Sequence, residues 1–393
     1  METILRHPEV APISRQLSRP IRQALVRWMS RPRSRGGSAS FAAAVVKLDR
    51  LGDFVLALAA IRAILRHYGE DRCLLVISPV AEELAATEFP STTRWVLPHS
   101  LGHMRALKAA FLHRDMVSRC QVDKLICLRH QRWDYDELVL SWFLTSSCIR
   151  TEDGWTRRRA PEQRVFQCAT PGEFCPVDRV LPSDGRGIRL CRELELHRQV
   201  LEEVLERPVA DEEVVPAWAR LEPVQGIVVS PLGSQGVRDF PPRLLRAAIG
   251  QAARSLKQSI VLIGQPHQRH RLEELAAYCR DQAGSIEVKS RCCLAEFLGT
   301  VGRACLVISA DTATAHVAAT FDRPAVIALG GGHYGQFGPW CRSSRQQWLT
   351  HSADCFWCDW TCRFPEPLCL TGIPEQAVVA AVEKAVASSQ GQA

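Results

Sequence analysis

FAAAVVKLDRLGDFVLALAAIRAI, residues 41–64, changes period in its middle. Phe41 to Val46 is a short unbroken apolar run, as in a strand buried on both faces. Lys47, Asp49, Arg50 and Asp53 then bracket Gly52, and from Phe54 the apolar residues recur at helical spacing. Strand, charged turn and helix in that order open a βαβ unit. The charged residues fall at the carboxyl end of the strand, where open α/β sheets hold their ligands.

The same alternation runs outward from this stretch. Strands are expected at 41–48, 73–78, 94–97 and 124–129, and helices at 54–67, 80–87, 101–119 and 136–147. Residues 152–187 are rich in Arg, Pro and Gly with little periodicity, and read as a long irregular connection. A helix at 190–206 follows. A second alternating half starts at 226 with GIVVSPLG and continues through SIVLIG, CLVISA and AVIALGG, each followed by a helix or a turn; a last helix is expected at 374–388. This predicts an α/β protein with two α/β domains, their parallel sheets facing across a cleft. The expected divisions are a basic arm and linker at 1–40, a first domain at 41–215, and a second at 216–385 that includes a Cys-rich segment at 355–369.

Bulk properties agree with a globular protein. The chain has 393 residues, 46% hydrophobic and 23% charged, enough for two or three domains. No apolar run is long enough to span a bilayer, so no transmembrane helix is expected. Arginines interrupt the first apolar stretches, so no signal peptide is expected either. A cytoplasmic location follows as an expectation. Of the net charge of +7, residues 1–40 supply +6 through eight arginines against two acids. The body is nearly neutral, which argues against nucleic acid as a partner. Ile13, Leu17, Ile21, Leu25 and Trp28 share one helical stripe opposite arginines; residues 13–29 read either as a peripheral membrane contact or as a helix packed on the protein.

Candidate chemistry concentrates in three places. In LDRLGD, Asp53 reads either as a helix cap or as a general base that accepts a hydroxyl proton. Asp49 and Arg50 read as a surface pair or as contacts to an acceptor or phosphate. In SPLGSQGVRDFPPRLL (230–245), Gly233, Ser234 and Gly236 open the backbone to an anion, with Arg238 beside them. In VISADTATAHVAATF (307–321), Asp311 ends a buried strand, Thr312, Ala313 and Thr314 start a helix, and His316 lies on its first turns. A diphosphate fits such a helix N-terminus; the alternative is Asp311 as a cap and His316 as a packed histidine. GGGHYGQFGPW (330–340) adds a glycine-rich turn.

Cys355, Cys358, Cys362 and Cys369 follow one another at the spacing C-x2-C-x3-C-x6-C. Four thiolates at this spacing suit one tetrahedral Zn or Fe with a structural role; packed thiols or a disulfide are the alternatives. No cofactor is expected for the chemistry itself.

VVKLDRLGDFVLALAAIRAI, SPLGSQGVRDFPPRLL and VISADTATAHVAATFDRPAVIALGG together resemble glycosyltransferase family 9, the ADP-heptose:lipopolysaccharide heptosyltransferase group. The likeness spans roughly residues 41–385. It implies a GT-B fold of two Rossmann-like domains and inverting transfer of a sugar, a heptose, from a nucleotide-diphosphate donor, ADP-heptose, to a saccharide or lipid-linked saccharide such as lipopolysaccharide core. It implies Asp53 as catalytic base, and Arg238, Asp311, Thr312 and His316 at the donor, with the basic arm suited to the inner face of the inner membrane. Relatives carry similar Cys-rich tails. Three positions depart from the family: Arg238 replaces a lysine, Ala313 replaces a glycine, and GQPHQR (264–269) lacks the acid that holds a ribose, leaving His267 or Gln268 to serve. Competing readings keep the fold with a different nucleotide sugar, a protein acceptor or sugar epimerisation. A more distant one is a non-enzymatic metal-knuckle protein whose arm binds nucleic acid.

Overall fold

The computed structural model describes residues 39–97, 120–128, 148–151, 154–157, 164–167, 188–223 and 226–390. The stripe at 13–29, residues 31–38 of the linker and the helices expected at 101–119 and 136–147 lie outside the described residues.

Two compact units make up the chain, one within residues 1–50 and 64–171, the other within 51–63 and 172–393. The expected boundary at 215 differs from this division. Helix Arg192–Leu205 and residues 51–63, the start of the helix after LDR, count with the second unit.

The first unit holds a parallel five-stranded sheet. Its strands are β1 (Ala39–Lys47), β2 (Cys73–Ile77), β3 (Thr93–Val96), β4 (Cys120–Cys127) and β7 (Arg164–Gln167), in the order β3-β2-β1-β4-β7. Helices α1 (Leu51–Tyr68) and α2 (Glu82–Glu88) connect its first strands. Between β4 and β7 in the chain, β5 (Cys148–Thr151) and β6 (Gly154–Arg157) pair antiparallel. The irregular connection expected over 152–187 is therefore overturned at β6 and β7. Both strands are too short for period-2 patterning to show against an Arg- and Pro-rich background. Ala43, Ala44, Val45 and Val46 are fully buried, as a strand covered on both faces requires.

The second unit carries helix α3 (Arg192–Leu205), a short turn α4 (Asp211–Val214), and a six-stranded parallel sheet. Its strands are β8 (Ile227–Ser230), β9 (Ile260–Ile263), β10 (Ile286–Lys289), β11 (Leu306–Ala310), β12 (Ala325–Ala328) and β13 (Gln346–Leu349), ordered β10-β9-β8-β11-β12-β13. Its remaining helices are α5 (Pro242–Leu256), α6 (Arg269–Ala283), α7 (Leu294–Gly302), α8 (Ala313–Thr320), α9 (Leu368–Thr371) and α10 (Glu375–Gln390). Ile227, Val229, Leu262, Ile308 and Val326 line one sheet face under Leu245, Ile249 and Val382 of the covering helices. Each such side chain contributes roughly 1.5–3 kcal/mol by leaving water.

β13 is absent from the sequence expectation because QQWL looks polar. The strand forms because Gln346, only 6% exposed, is paired: its amide donates to Arg323 O at 2.8 Å and to Asp322 Oδ1 at 3.3 Å. Asp322 also accepts from Arg220, Ser343 and Arg345.

Both strand orders place a switch point beside their first strand, between β1 and β4 and between β8 and β11. Ligands of open α/β sheets bind at such points, outside the carboxyl ends of the strands. This is the two-sheet α/β arrangement of the GT-B type. Among the described residues no helix is long and apolar enough to cross a membrane.

Candidate functional site

At the switch point of the second sheet, β8 delivers the loop Pro231–Arg238 and β11 delivers Asp311. The two strands are direct neighbours, with Ser309 opposite Ser230. Their loops meet through one ion pair: Arg238 donates to the carbonyl of Asp311 and to its Oδ2 at 3.1 Å. Two buried polar atoms here lack hydrogen-bond partners among the described residues, the donor Nε of Arg238 and the acceptor Oδ1 of Asp311. Leaving such groups unmatched costs about 1–3 kcal/mol each, and a ligand that offers an acceptor and a donor would satisfy both.

Helix α8 starts beside them. Thr312 is its N-cap residue, in an extended conformation, and makes no side-chain cap. Its hydroxyl lies 3.3 Å from Ser309 Oγ instead. Asp311 is not the cap either, so that expectation is corrected: its carboxylate turns to Arg238. The first amides of α8 thus meet no capping side chain, the arrangement that suits an anion.

His316 sits near the start of α8, 4% exposed. The indole of Trp340, fully buried, donates from Nε1 to His316 Nδ1 at 3.0 Å, and the two rings stack with centroids 6.2 Å apart. An indole N–H can only donate. Nδ1 must therefore accept, and the neutral ring carries its proton on Nε2. Burial pushes the His316 pKa down to about 4; Asp311 opposes this and Arg238 adds to it. At neutral pH His316 is an uncharged N–H donor of fixed tautomer. Asp311 Oδ1, at 4.0 Å from Nε2, is too distant to take that proton.

The loop after β8 is organised differently from the expectation that Gly233 opens the backbone to an anion. The Gly233 N–H instead donates to Asp239 Oδ1 at 2.7 Å, and its carbonyl accepts from Gln268 Nε2 at 3.0 Å. A Cβ there would meet Arg238 Cβ at 2.8 Å. Glycine is required so that Arg238 can fold back over the loop. Asp239, held by Arg271 at 2.6 Å, anchors this turn; burial raises its pKa while Arg271 opposes the rise. Ser234 is exposed. Gln268, a candidate for a ribose contact, has its carbonyl oxygen taken by the Gln265 amide at 2.9 Å, whereas His267 is exposed.

LDRLGD resolves into separate roles. Asp49 is 7% exposed and pairs with the buried Lys47 ammonium at 3.0 Å, which also donates to Leu128 O at 2.7 Å. The surface placement expected for Asp49 is corrected: it is buried and neutralises a lysine at the end of β1. Arg50 is exposed and is the N-cap residue of α1 without a side-chain cap. Asp53 is half-buried in the first turn of α1. Gly52, expected in the turn between strand and helix, lies inside the helix instead. A Cβ on it would meet His316 Cδ2 at 2.8 Å and Ala313 Cα at 3.3 Å. Within the second unit, the start of α1 is thus seated on the first turn of α8, and Asp53 follows directly.

The glycine turn and the cysteine segment pack together. Trp357 N donates to Gly331 O at 2.9 Å, and His333 Nε2 lies 2.7 Å from Asp359 Oδ1. Cys355, Cys358 and Cys362 are half-buried and Cys369 is buried, all as free thiols. Burial raises the pKa of Cys358 and Cys369, and neighbouring cysteines of the segment add to it. Among the described residues no group of three or more His, Cys, Asp or Glu is arranged to hold a metal.

The sequence reading gives Trp340, Asp239 and Trp360 no role at the donor site. All three lie within the candidate segments, but their partners are fixed only by the fold.

Residues 226–360 match the profile described as Glycosyltransferase family 9 (heptosyltransferase). Among solved structures, the fold is similar to Escherichia coli heptosyltransferase WaaC with ADP-2-deoxy-2-fluoro heptose, at 16% identity and TM-score 0.54, covering 88% of this chain and 99% of that one. It is also similar to E. coli ADP-heptose lps heptosyltransferase II, at 12% identity and TM-score 0.57, covering 89% and 100%. A glycosyltransferase family 9 protein from Veillonella parvula matches at 14% identity and TM-score 0.55, covering 91% and 99%. A search of curated protein sequences returned no match.

Proposed function

Taking residues 226–360 as a glycosyltransferase family 9 domain, we propose that this protein is an inverting glycosyltransferase that moves a heptose from ADP-heptose to a saccharide such as lipopolysaccharide core. One observation carries the reading. Arg238, the uncapped start of α8 and the neutral His316 Nε2–H converge at the β8/β11 switch point, with Arg238 Nε unmatched. Together they offer N–H donors and positive potential to a diphosphate.

In the proposed reaction the acceptor hydroxyl gives its proton to the Asp53 carboxylate as its oxygen attacks the anomeric carbon. The bond from that carbon to the diphosphate oxygen breaks, and its electron pair leaves with the nucleoside diphosphate. Attack opposite the leaving group inverts the centre. Charge grows on the diphosphate in an oxocarbenium-like transition state, and the donors at α8 and Arg238 stabilise it where it develops. Support for Asp53 comes from Gly52, whose contact with His316 and Ala313 brings the start of α1 to α8.

The test pairs a donor screen with one variant. ADP-, GDP- and UDP-sugars are compared by thermal shift, and stabilisation by the ADP sugar alone is expected. Asp53→Asn is expected to lower turnover by at least about 100-fold while the same donor still raises the melting temperature. Turnover near wild type in that variant would remove Asp53 from the mechanism.

The close run of four cysteines also supports a structural Zn or Fe at Cys355, Cys358, Cys362 and Cys369. Ligation would have to draw the thiols into a tetrahedral set and deprotonate them. Metal analysis of protein purified without chelator checks this, with one equivalent expected. A location at the inner face of the cytoplasmic membrane, through residues 13–29, belongs to the same reading; loss of vesicle binding on deletion of 1–38 checks it.

A further inference from the structure

Arg238 is gripped from two sides. Asp311 takes one terminal nitrogen. The other grip is aromatic: the guanidinium lies 4.6 Å from the ring centre of Trp360, in the cysteine segment. That ring is itself fixed. A Cβ at Gly330 would meet it at 2.7 Å and one at Gly332 at 2.5 Å, and a Cβ at Gly331 would strike Phe356. Three successive glycines thus form a bare backbone platform under two aromatic rings. His333 meets Trp360 edge-on at 5.4 Å. Trp357, Asp359 and Trp360 hold φ values of +68°, +49° and +60°. That is the left-handed region, unfavourable for residues that carry a Cβ. These residues carry or adjoin the ring that lies over Arg238.

We infer that Trp360 is a positioning residue for Arg238, and that the cysteine segment serves the donor site by carrying it. The ring face holds the guanidinium plane so that Nε and the terminal nitrogen not bound to Asp311 stay available to the phosphates. The inference rests on the reading of Arg238 as a diphosphate contact.

ADP and adenosine, titrated calorimetrically into the full chain, separate the two. Trp360→Leu should weaken ADP roughly three- to thirty-fold and leave adenosine unchanged, because adenosine has no phosphate for Arg238 to meet. Trp360→Phe keeps a ring face and should restore most of the ADP affinity. Arg238→Ala should weaken ADP at least as much, and the Arg238→Ala/Trp360→Leu double variant should bind no worse than Arg238→Ala alone. If Arg238→Ala weakens ADP but Trp360→Leu does not, the positioning role is wrong and the phosphate reading stands. If Arg238→Ala binds ADP like wild type, the phosphate reading itself fails. Equal loss of ADP and adenosine in Trp360→Leu would mark a general structural defect and overturn the inference. Should Trp360→Leu not fold, Gly332→Ala displaces the same ring by pushing from the platform beneath it, and the same ADP-selective loss is required of it.

Discussion

Gly52 and His316 show how much one atom can decide. The helix that carries Asp53 reaches α8 only because residue 52 lacks a side chain, and the His316 ring it touches is backed by Trp340 and cannot yield. Gly52→Ala is therefore expected to weaken ADP binding and turnover together, with a stability loss of about 1–3 kcal/mol from overpacking; a urea titration and a rate assay check both. Trp340→Phe takes away the N–H that fixes the tautomer. Proton occupancy should then be shared between the two ring nitrogens of His316, visible in its ¹⁵N shifts, with a fall in ADP affinity of about five-fold. The sign of the pH effect follows from burial. The folded pKa of His316, about 4, lies below the ordinary value of 6.5, so the unfolded chain binds the proton first. This group's contribution to stability is intact above pH 6.5 and is lost as pH falls to 4, roughly 3 kcal/mol in all. The gap in urea midpoint between wild type and His316→Asn should narrow over that window. At this scale the sequence reveals residue types but not partners. Asp311, Arg238 and His316 stand out as chemistry at strand and helix ends. Trp340 and Trp360 do not, because their contacts join residues far apart in the chain.

Elements are more legible than contacts. β8, β9, β11 and β12 start within a residue of their expected spans, since buried parallel strands are short apolar runs followed by amphipathic helices. α1 begins earlier than expected, at Leu51, because charged residues in a first helical turn disguise it as loop. β7 and β13 are hidden by polar composition. The loop before α5 belongs to this scale too. Asp239 accepts the Gly233 amide and pairs with Arg271, so it sets the height of the Arg238 loop. Asp239→Ala leaves a buried N–H unmatched and should cost about 1–3 kcal/mol, read as a lower urea midpoint with an unchanged slope. Asp239→Asn, which keeps an acceptor for that amide, should cost less.

At the level of the whole molecule, two alternating halves are legible in the sequence, and the segment that the second compact unit takes from within the first is not. The second unit includes Leu51–Ala63, whose Phe54, Val55, Leu56 and Ala57 are fully buried. A fragment starting at residue 172 would expose the surfaces those side chains cover. It is expected to aggregate on gel filtration and to bind ADP more weakly than the full chain. Chain order could not show this, because a unit that borrows a segment from before its own start looks, to periodicity, like two ordinary halves.

The bare turn at 330–332 also limits how the gene can drift. In a saturation library, clones bearing any bulk at these three codons should survive selection only when position 356 or 360 has shrunk in compensation. The two loci would then behave as one linked unit of inheritance.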